Sequence, residues 1–159
     1  MQRSKKIQWK PLICSLIISL GVGGLAAFFT RNSMEVYMEL NRPPLSPPPV
    51  VFPIVWTVLY ILMGISAYRI YLSDMPQKKP ALWLYFIQLI FNFLWPILFF
   101  NLQSYLAALI CLLILWLLIL AMIMRFCRID RTAALLQIPY LLWVTFAGYL
   151  NWGIWLLNL

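Results

Sequence analysis

Tryptophan, tyrosine and asparagine recur at helical spacing in three apolar stretches, and these are the side chains best placed to do chemistry. In one stretch Trp56, Tyr60 and Gly64 repeat at i, i+4 and i+8, with Pro53 one turn earlier. In another, Asn92, Trp95 and Phe99 share a face, and Pro96 is placed to bend the helix beside them. In the last, Pro139, Trp143, Ala147, Leu150, Asn151 and Ile154 line up on one side. Each face sets a large ring beside a small or polar neighbour. If the three converge, they enclose an aromatic cavity with a few amide groups, which suits a flat hydrophobic ligand. Core packing is the competing reading. Asn92 and Asn151 can equally serve as interhelical hydrogen bonds worth about 0.6–2 kcal/mol each, and spacing alone does not choose. Trp9, Trp152 and Trp155 fall near the ends of apolar runs, where tryptophan anchors to a membrane interface.

Other chemistry is excluded by what is missing. The 159-residue chain has no histidine, so Ser-His-Asp catalysis, H-E-x-x-H metal sites and histidine-ligated haem are not available to it. Its three cysteines, Cys14, Cys111 and Cys127, lack metal-ligand spacing, and no metal site is expected. Proton-coupled transporters keep carboxylates or histidines inside their spans. The apolar runs here hold neither, which disfavours a small multidrug or metabolite transporter.

The elements that must position these faces follow from composition. Hydrophobic residues make up 64% of the chain and charged residues 10%, against roughly 45–50% and 25% in soluble domains. One soluble core cannot hide that much apolar surface. Five apolar runs, 12–29, 50–72, 82–100, 105–124 and 133–157, each approach the ~20 residues that cross a bilayer as a helix. None contains Asp, Glu or Lys, and the one Arg, Arg69, lies near a span end where it can snorkel. The expectation is an all-α integral membrane bundle of five transmembrane helices, a single domain over 1–159. The first run, preceded by Arg3, Lys5, Lys6 and Lys10, has the outline of a secretory signal as well. Its length and the lack of a following A-x-A site favour a retained helix.

Charge placement sets the expected orientation. Ten basic residues fall on the side of the N-terminus and the second and fourth loops, and two, Arg31 and Arg42, fall on the other. The positive-inside rule puts the N-terminus in the cytoplasm and the C-terminus outside. The net charge of +8 is then a matter of topology, and nucleic acid is not expected as a partner.

The loop at 30–49 is longer than the others. Asn32 and Glu35 have capping-box spacing, Met34, Tyr37 and Met38 would share a face of a short helix, and five prolines between Pro43 and Pro49 favour polyproline II. A flap over the bundle mouth and a plain stiff linker both fit. Ser15, Ser19, Gly23 and Ala27 form a small-residue ridge on the first span, suited to close helix contact inside the bundle or at a homodimer seam.

Three ordered motifs carry a resemblance. They are Arg42-Pro43 with Pro47-Pro48 leading into Val55-Trp56-Thr57-Val58-Leu59-Tyr60 and Met63-Gly64; Asn92-Phe93-Leu94-Trp95-Pro96 with Phe99-Phe100; and Pro139-Tyr140, Trp143-Val144, Phe146-Ala147 and Leu150-Asn151. With the five spans they make the chain resemble the TspO/MBR family, the bacterial tryptophan-rich sensory proteins and the mitochondrial translocator protein or peripheral benzodiazepine receptor. The resemblance implies a receptor or translocator, often a homodimer, that binds protoporphyrin IX, sterols and benzodiazepine-type drugs in a pocket closed by the first loop. Carried over residue by residue, it implies a pocket lined by Tyr37, Pro47, Trp56, Asn92, Trp95, Trp143 and Ala147, with Tyr60, Phe99 and Asn151 added by the faces above. No cofactor is implied apart from porphyrin as ligand or substrate. Trp56 and Trp143 match positions linked to light-dependent porphyrin breakdown, so an enzyme-like role with these two as catalytic residues is the alternative. Departures from the family pattern are Val36 and Leu45 where aromatics are usual, and Cys111 where many members carry an acid. No basic residue follows Arg131, so the animal cholesterol-recognition pattern is absent.

Overall fold

In hydrocarbon a backbone N–H or C=O has no water to bond, so an apolar run of this length satisfies its peptide groups internally as a helix. The computed structural model, which describes residues 6–159, realises this five times. Helix α1 spans Trp9–Thr30, and the short α2, Met34–Glu39, lies in the first loop. Helix α3 is Val51–Tyr71, and α4 is Lys78–Pro96, continued by a π-helical turn at Ile97–Asn101. Helix α5 is Tyr105–Cys127, and the last span is divided into α6, Arg131–Leu135, and α7, Ile138–Leu157. The five-span architecture stands as expected. Of the basic residues used for orientation, Arg3 and Lys5 lie outside the described residues.

Two spans differ from the simple apolar runs. Helix α4 begins at Lys78, four residues before the run, because the Lys78 ammonium is held at the helix start by the carbonyls of Tyr71 (3.2 Å) and Ser73 (2.8 Å). The last span breaks at Leu136–Gln137, since Pro139 has no N–H to give to residue 135 and its ring crowds that turn. Asp130 restarts the chain just before, accepting from the N–H groups of Thr132 and Ala133 while pairing with Arg69 at 2.8 Å.

The helices close a circuit in which α1 lies on α3, α3 meets the last span chiefly through α6, α5 joins α6 and α7 to α4, and α4 returns to α1. The small ridge on α1 is spent inside this bundle: Ser15 donates to the Gly64 carbonyl (2.7 Å) and Ser19 to the Tyr60 carbonyl (2.8 Å). Any side chain at Gly64 would meet Ser19 and Leu16 of α1 at under 3 Å, so glycine there lets the backbones approach. Toward the end that carries α6, Ile70, Ile119, Met122 and Phe126 are fully buried in the core. At the opposite end α3 and α7 are not in close contact, and aromatic rings occupy the space.

The first loop departs from its expectations in three places. Ser33, not Asn32, is the N-cap of α2, and its hydroxyl donates across to Asn101 Oδ1 (2.7 Å), so no capping box forms. Met34 and Tyr37 turn toward the bundle, while Met38 is exposed. The proline run is interrupted by Leu45, whose φ of 69° reverses the chain, with Ser46 Oγ donating to the Pro43 carbonyl at 2.7 Å. Polyproline II geometry therefore does not run through. The loop is strapped to the end of α7: Asn158 Nδ2 donates to the Asn41 carbonyl (2.9 Å), the Asn41 N–H donates to Asn158 Oδ1 (3.1 Å), and Tyr149 OH donates to the Pro44 carbonyl (2.8 Å).

Candidate functional site

A cavity of about 380 Å³ opens between α1, α3 and α4 near the 30–50 loop. Aromatic rings form its inner wall. Trp56 lies 5.6 Å from Tyr60 and 6.4 Å from Trp95 by ring centroids, both tilted by about thirty degrees. Phe52 and Phe100 continue the wall, and Gly23, Gly24, Ala26 and Ala27 of α1 form the opposite side. The small residues matter sterically, since they leave the ring faces uncovered. A Cβ added at Gly23 would lie 2.3 Å from the Tyr60 ring.

Two polar side chains of the wall, Tyr60 and Asn92, belong to a buried chain that crosses three helices. Tyr60 OH of α3 donates to Asn92 Oδ1 of α4, Asn92 Nδ2 donates to Tyr140 OH of α7 (2.7 Å), and Tyr140 donates to Gln88 Oε1 of α4 (2.6 Å). Tyr60 and Asn92 also line the cavity, so one end of this chain touches the ligand space. A second clamp holds the indole of Trp95. Its Nε1–H donates to Asn151 Oδ1 (3.0 Å), and Asn151 Nδ2 donates to the Tyr105 carbonyl (2.8 Å), tying α4, α7 and α5 together. Both hydrogen-bonding groups of Asn151 are thus engaged between helices.

The sequence-derived residues divide into groups. Trp56, Tyr60, Asn92 and Trp95 line the main cavity. Tyr37, Phe99, Ala147 and Asn151, with Trp95 again, surround a second void of about 20 Å³, room for about one water-sized sphere. Phe52 stands between the two, with its centroid 5.5 Å from Tyr37 and 6.0 Å from Trp143. Trp143 reaches neither void. It packs behind Phe52 and against Phe146 (5.5 Å), and its buried Nε1–H has no partner. Pro47 is half-buried in the loop and lines neither space, and Pro53 is exposed at the rim of the main cavity. Pro139 also faces outward, and Tyr140 takes its place on the inward side of α7.

Four contributors were not singled out from spacing: Phe52, Gln88, Phe100 and Tyr140. The signal for Tyr140 was available, because Tyr140, Val144, Ala147, Asn151 and Ile154 are a regular i, i+4, i+7, i+11, i+14 series and all are buried. Gln88 precedes Asn92 by one turn, and a second amide on that face was the corresponding signal.

Together these features define a class, the five-span integral membrane proteins with an aromatic-walled cavity inside the bundle. The chain belongs to the TspO/MBR family, whose family model matches residues 14–156. It is 35% identical to the tryptophan-rich protein TspO of Chlorobaculum tepidum, over 98% of this chain and 99% of that one. It is 37% identical to the translocator protein of Bos taurus, over 92% and 89% of the two chains. The protein CrtK of Rhodobacter capsulatus is likewise 37% identical, over 86% of this chain and 85% of its own.

Proposed function

We propose that this membrane protein is a receptor or translocator for porphyrins, protoporphyrin IX first among them, and for other flat hydrophobic ligands. The observation that carries this reading is the main cavity. It falls within the usual size range of ligand pockets, roughly 300–1,000 Å³, and its wall of Trp56, Tyr60, Trp95, Phe52 and Phe100 presents π-faces with one amide, Asn92, among them. Apolar area supplies affinity, tilted rings supply stacking, and the Asn92 amide, fixed by its tyrosine partners, supplies direction. We take the N-terminus to be cytoplasmic on the ten-to-two distribution of basic residues, and the membrane to be a bacterial cell membrane on the similarity to the TspO protein of Chlorobaculum tepidum.

Light-driven porphyrin oxidation is the second reading, and it needs indoles at the ligand. Trp56 satisfies that requirement, whereas Trp143 is screened by Phe52. Binding is therefore favoured over degradation by a Trp56–Trp143 pair. The test is a protoporphyrin IX titration of the purified protein, following tryptophan quenching in the dark and porphyrin absorption under illumination. Saturable quenching that weakens in Trp56→Phe and Asn92→Ala, with bleaching no faster than for free porphyrin, is the expected result. Conversion that outpaces free porphyrin and is lost in Trp56→Phe would replace binding by catalysis.

A further inference from the structure

The main cavity is open on one flank. Leu20, Gly24, Ala27 and Arg31 follow one another at i, i+4, i+7 and i+11 from the middle of α1 to its C-cap, all four exposed and all four part of the wall. Pro53 and Thr57 of α3 stand across from them, also exposed. The mouth therefore opens sideways through the helix wall, along an edge that is apolar until it reaches Arg31.

Arg31 is unusual among the cavity residues because it is charged. Its guanidinium carbon lies 4.2 Å from the Phe28 ring centroid, and among the described residues no carboxylate forms an ion pair with it. A guanidinium stacked over a ring keeps its in-plane N–H groups free, and that planar fork matches a carboxylate. The C-terminus of α1 favours a cation at this position and accounts for its tolerance there. What the helix end does not account for is a place on the rim of a cavity that is otherwise apolar apart from a few hydroxyls and one amide.

We propose that Arg31 forms a carboxylate subsite at this lateral mouth, so that the cavity selects amphipathic acids, with the flat apolar body between α1 and α3 and the acid group on Arg31. The inference rests on the cavity being a ligand site. It adds which ligands are preferred and which way round they lie. A neutral ligand of the same shape gains nothing from Arg31. An acid gains a charge-assisted contact at the edge of the bilayer, where water screens less than in bulk.

The probes are protoporphyrin IX and its dimethyl ester, which differ in the carboxylates alone, titrated against the full chain in lipid nanodiscs by tryptophan quenching. Arg31→Gln should weaken the free acid about tenfold, as loss of a partly exposed charge-assisted bond does, and should shift the ester by less than about twofold. Ester binding also reports that the variant is folded. Gly24→Phe is the second variant. An added Cβ there meets nothing within 4 Å, and Gly24 lines the cavity, so a ring carried on that Cβ is chosen to narrow the mouth. It should weaken both probes. Equal loss of acid and ester in Arg31→Gln, or no loss of either, overturns the subsite while leaving the cavity as a binding site. Unchanged affinities in Gly24→Phe move the probes elsewhere and overturn it too. Wild-type protein that binds neither probe saturably overturns the ligand-site reading itself, and this inference with it.

Discussion

Replacing Tyr140 by Phe removes one oxygen from the middle of the buried polar chain. That oxygen accepts from Asn92 Nδ2 at 2.7 Å and donates to Gln88 Oε1 at 2.6 Å, so two interhelical bonds are lost together. Their partners have little else to bond: Gln88 is fully buried, and its Nε2 already lacks a partner. Interhelical hydrogen bonds in membranes average about 0.6 kcal/mol and reach about 1.7, which puts the pair at about 1.2–3.4 kcal/mol. Tyr60 stands at the end of the same chain and makes only the hydroxyl bond to Asn92, so Tyr60→Phe should cost about half as much. The expected outcome is a loss of about 2 kcal/mol for Tyr140→Phe and about 1 for Tyr60→Phe. The double variant should cost less than the sum, because both hydroxyls act on one amide. Reversible unfolding in mixed micelles with increasing dodecyl sulfate measures all three. A Tyr140→Phe variant no less stable than Tyr60→Phe would refute the chain as a unit, as would strict additivity.

Three further outcomes follow from the same geometry. Asp130→Ala removes the N-cap of α6 and the partner of Arg69, and should cost about 1–2 kcal/mol, whereas Arg69→Ala, losing only a surface pair, should cost under about 1; the same unfolding assay compares them. Gly64→Ala drives a methyl against Ser19 and Leu16 of α1 and should destabilise by about 1–3 kcal/mol, with faster hydrogen exchange in α1 as the local readout. Phe52→Ala removes the ring between the cavity and Trp143, so the fraction of tryptophan fluorescence quenched by protoporphyrin IX should rise, and that rise should vanish when Trp143→Phe is added.

The spans were legible because a membrane helix announces itself by what it lacks, and 12–29 or 105–124 needed only a scan for charges. The face Asn92, Trp95 and Phe99 was legible too. Helix α4 runs unbroken from Lys78 to Pro96, so spacing gives the direction of Asn92 and Trp95, and Phe99 remains buried in the turn beyond. Phase was harder on α7. The chain restarts at Ile138 after the break, and Gln137 and Tyr140 are buried while Pro139 is exposed. A face drawn from Pro139 is therefore one residue out of phase at its start, which is why Tyr140 was missed and Trp143 was placed too far inward. Phe52 was invisible for another reason. Its position in the first turn of α3 looks like a span end, and its role comes from the gap between α3 and α7, which only tertiary packing creates. Leu45 in the left-handed region has no signal at all in its residue type, since such a turn would favour glycine or asparagine.

Between Pro96 and Leu102 the third span holds a spare residue: the Leu102 N–H reaches back five positions to the Ile97 carbonyl at 3.0 Å. Losing one amino acid inside that wide turn would let it tighten to ordinary helical pitch, with Asn92 and Trp95 before it and α5 after it undisturbed. The same loss between Gln88 and Asn92 would swing the Trp95 indole by about 100° relative to the start of α4 and away from Asn151. Length changes in this span can thus be absorbed at Ile97–Asn101, on the far side of Trp95 from the buried amides.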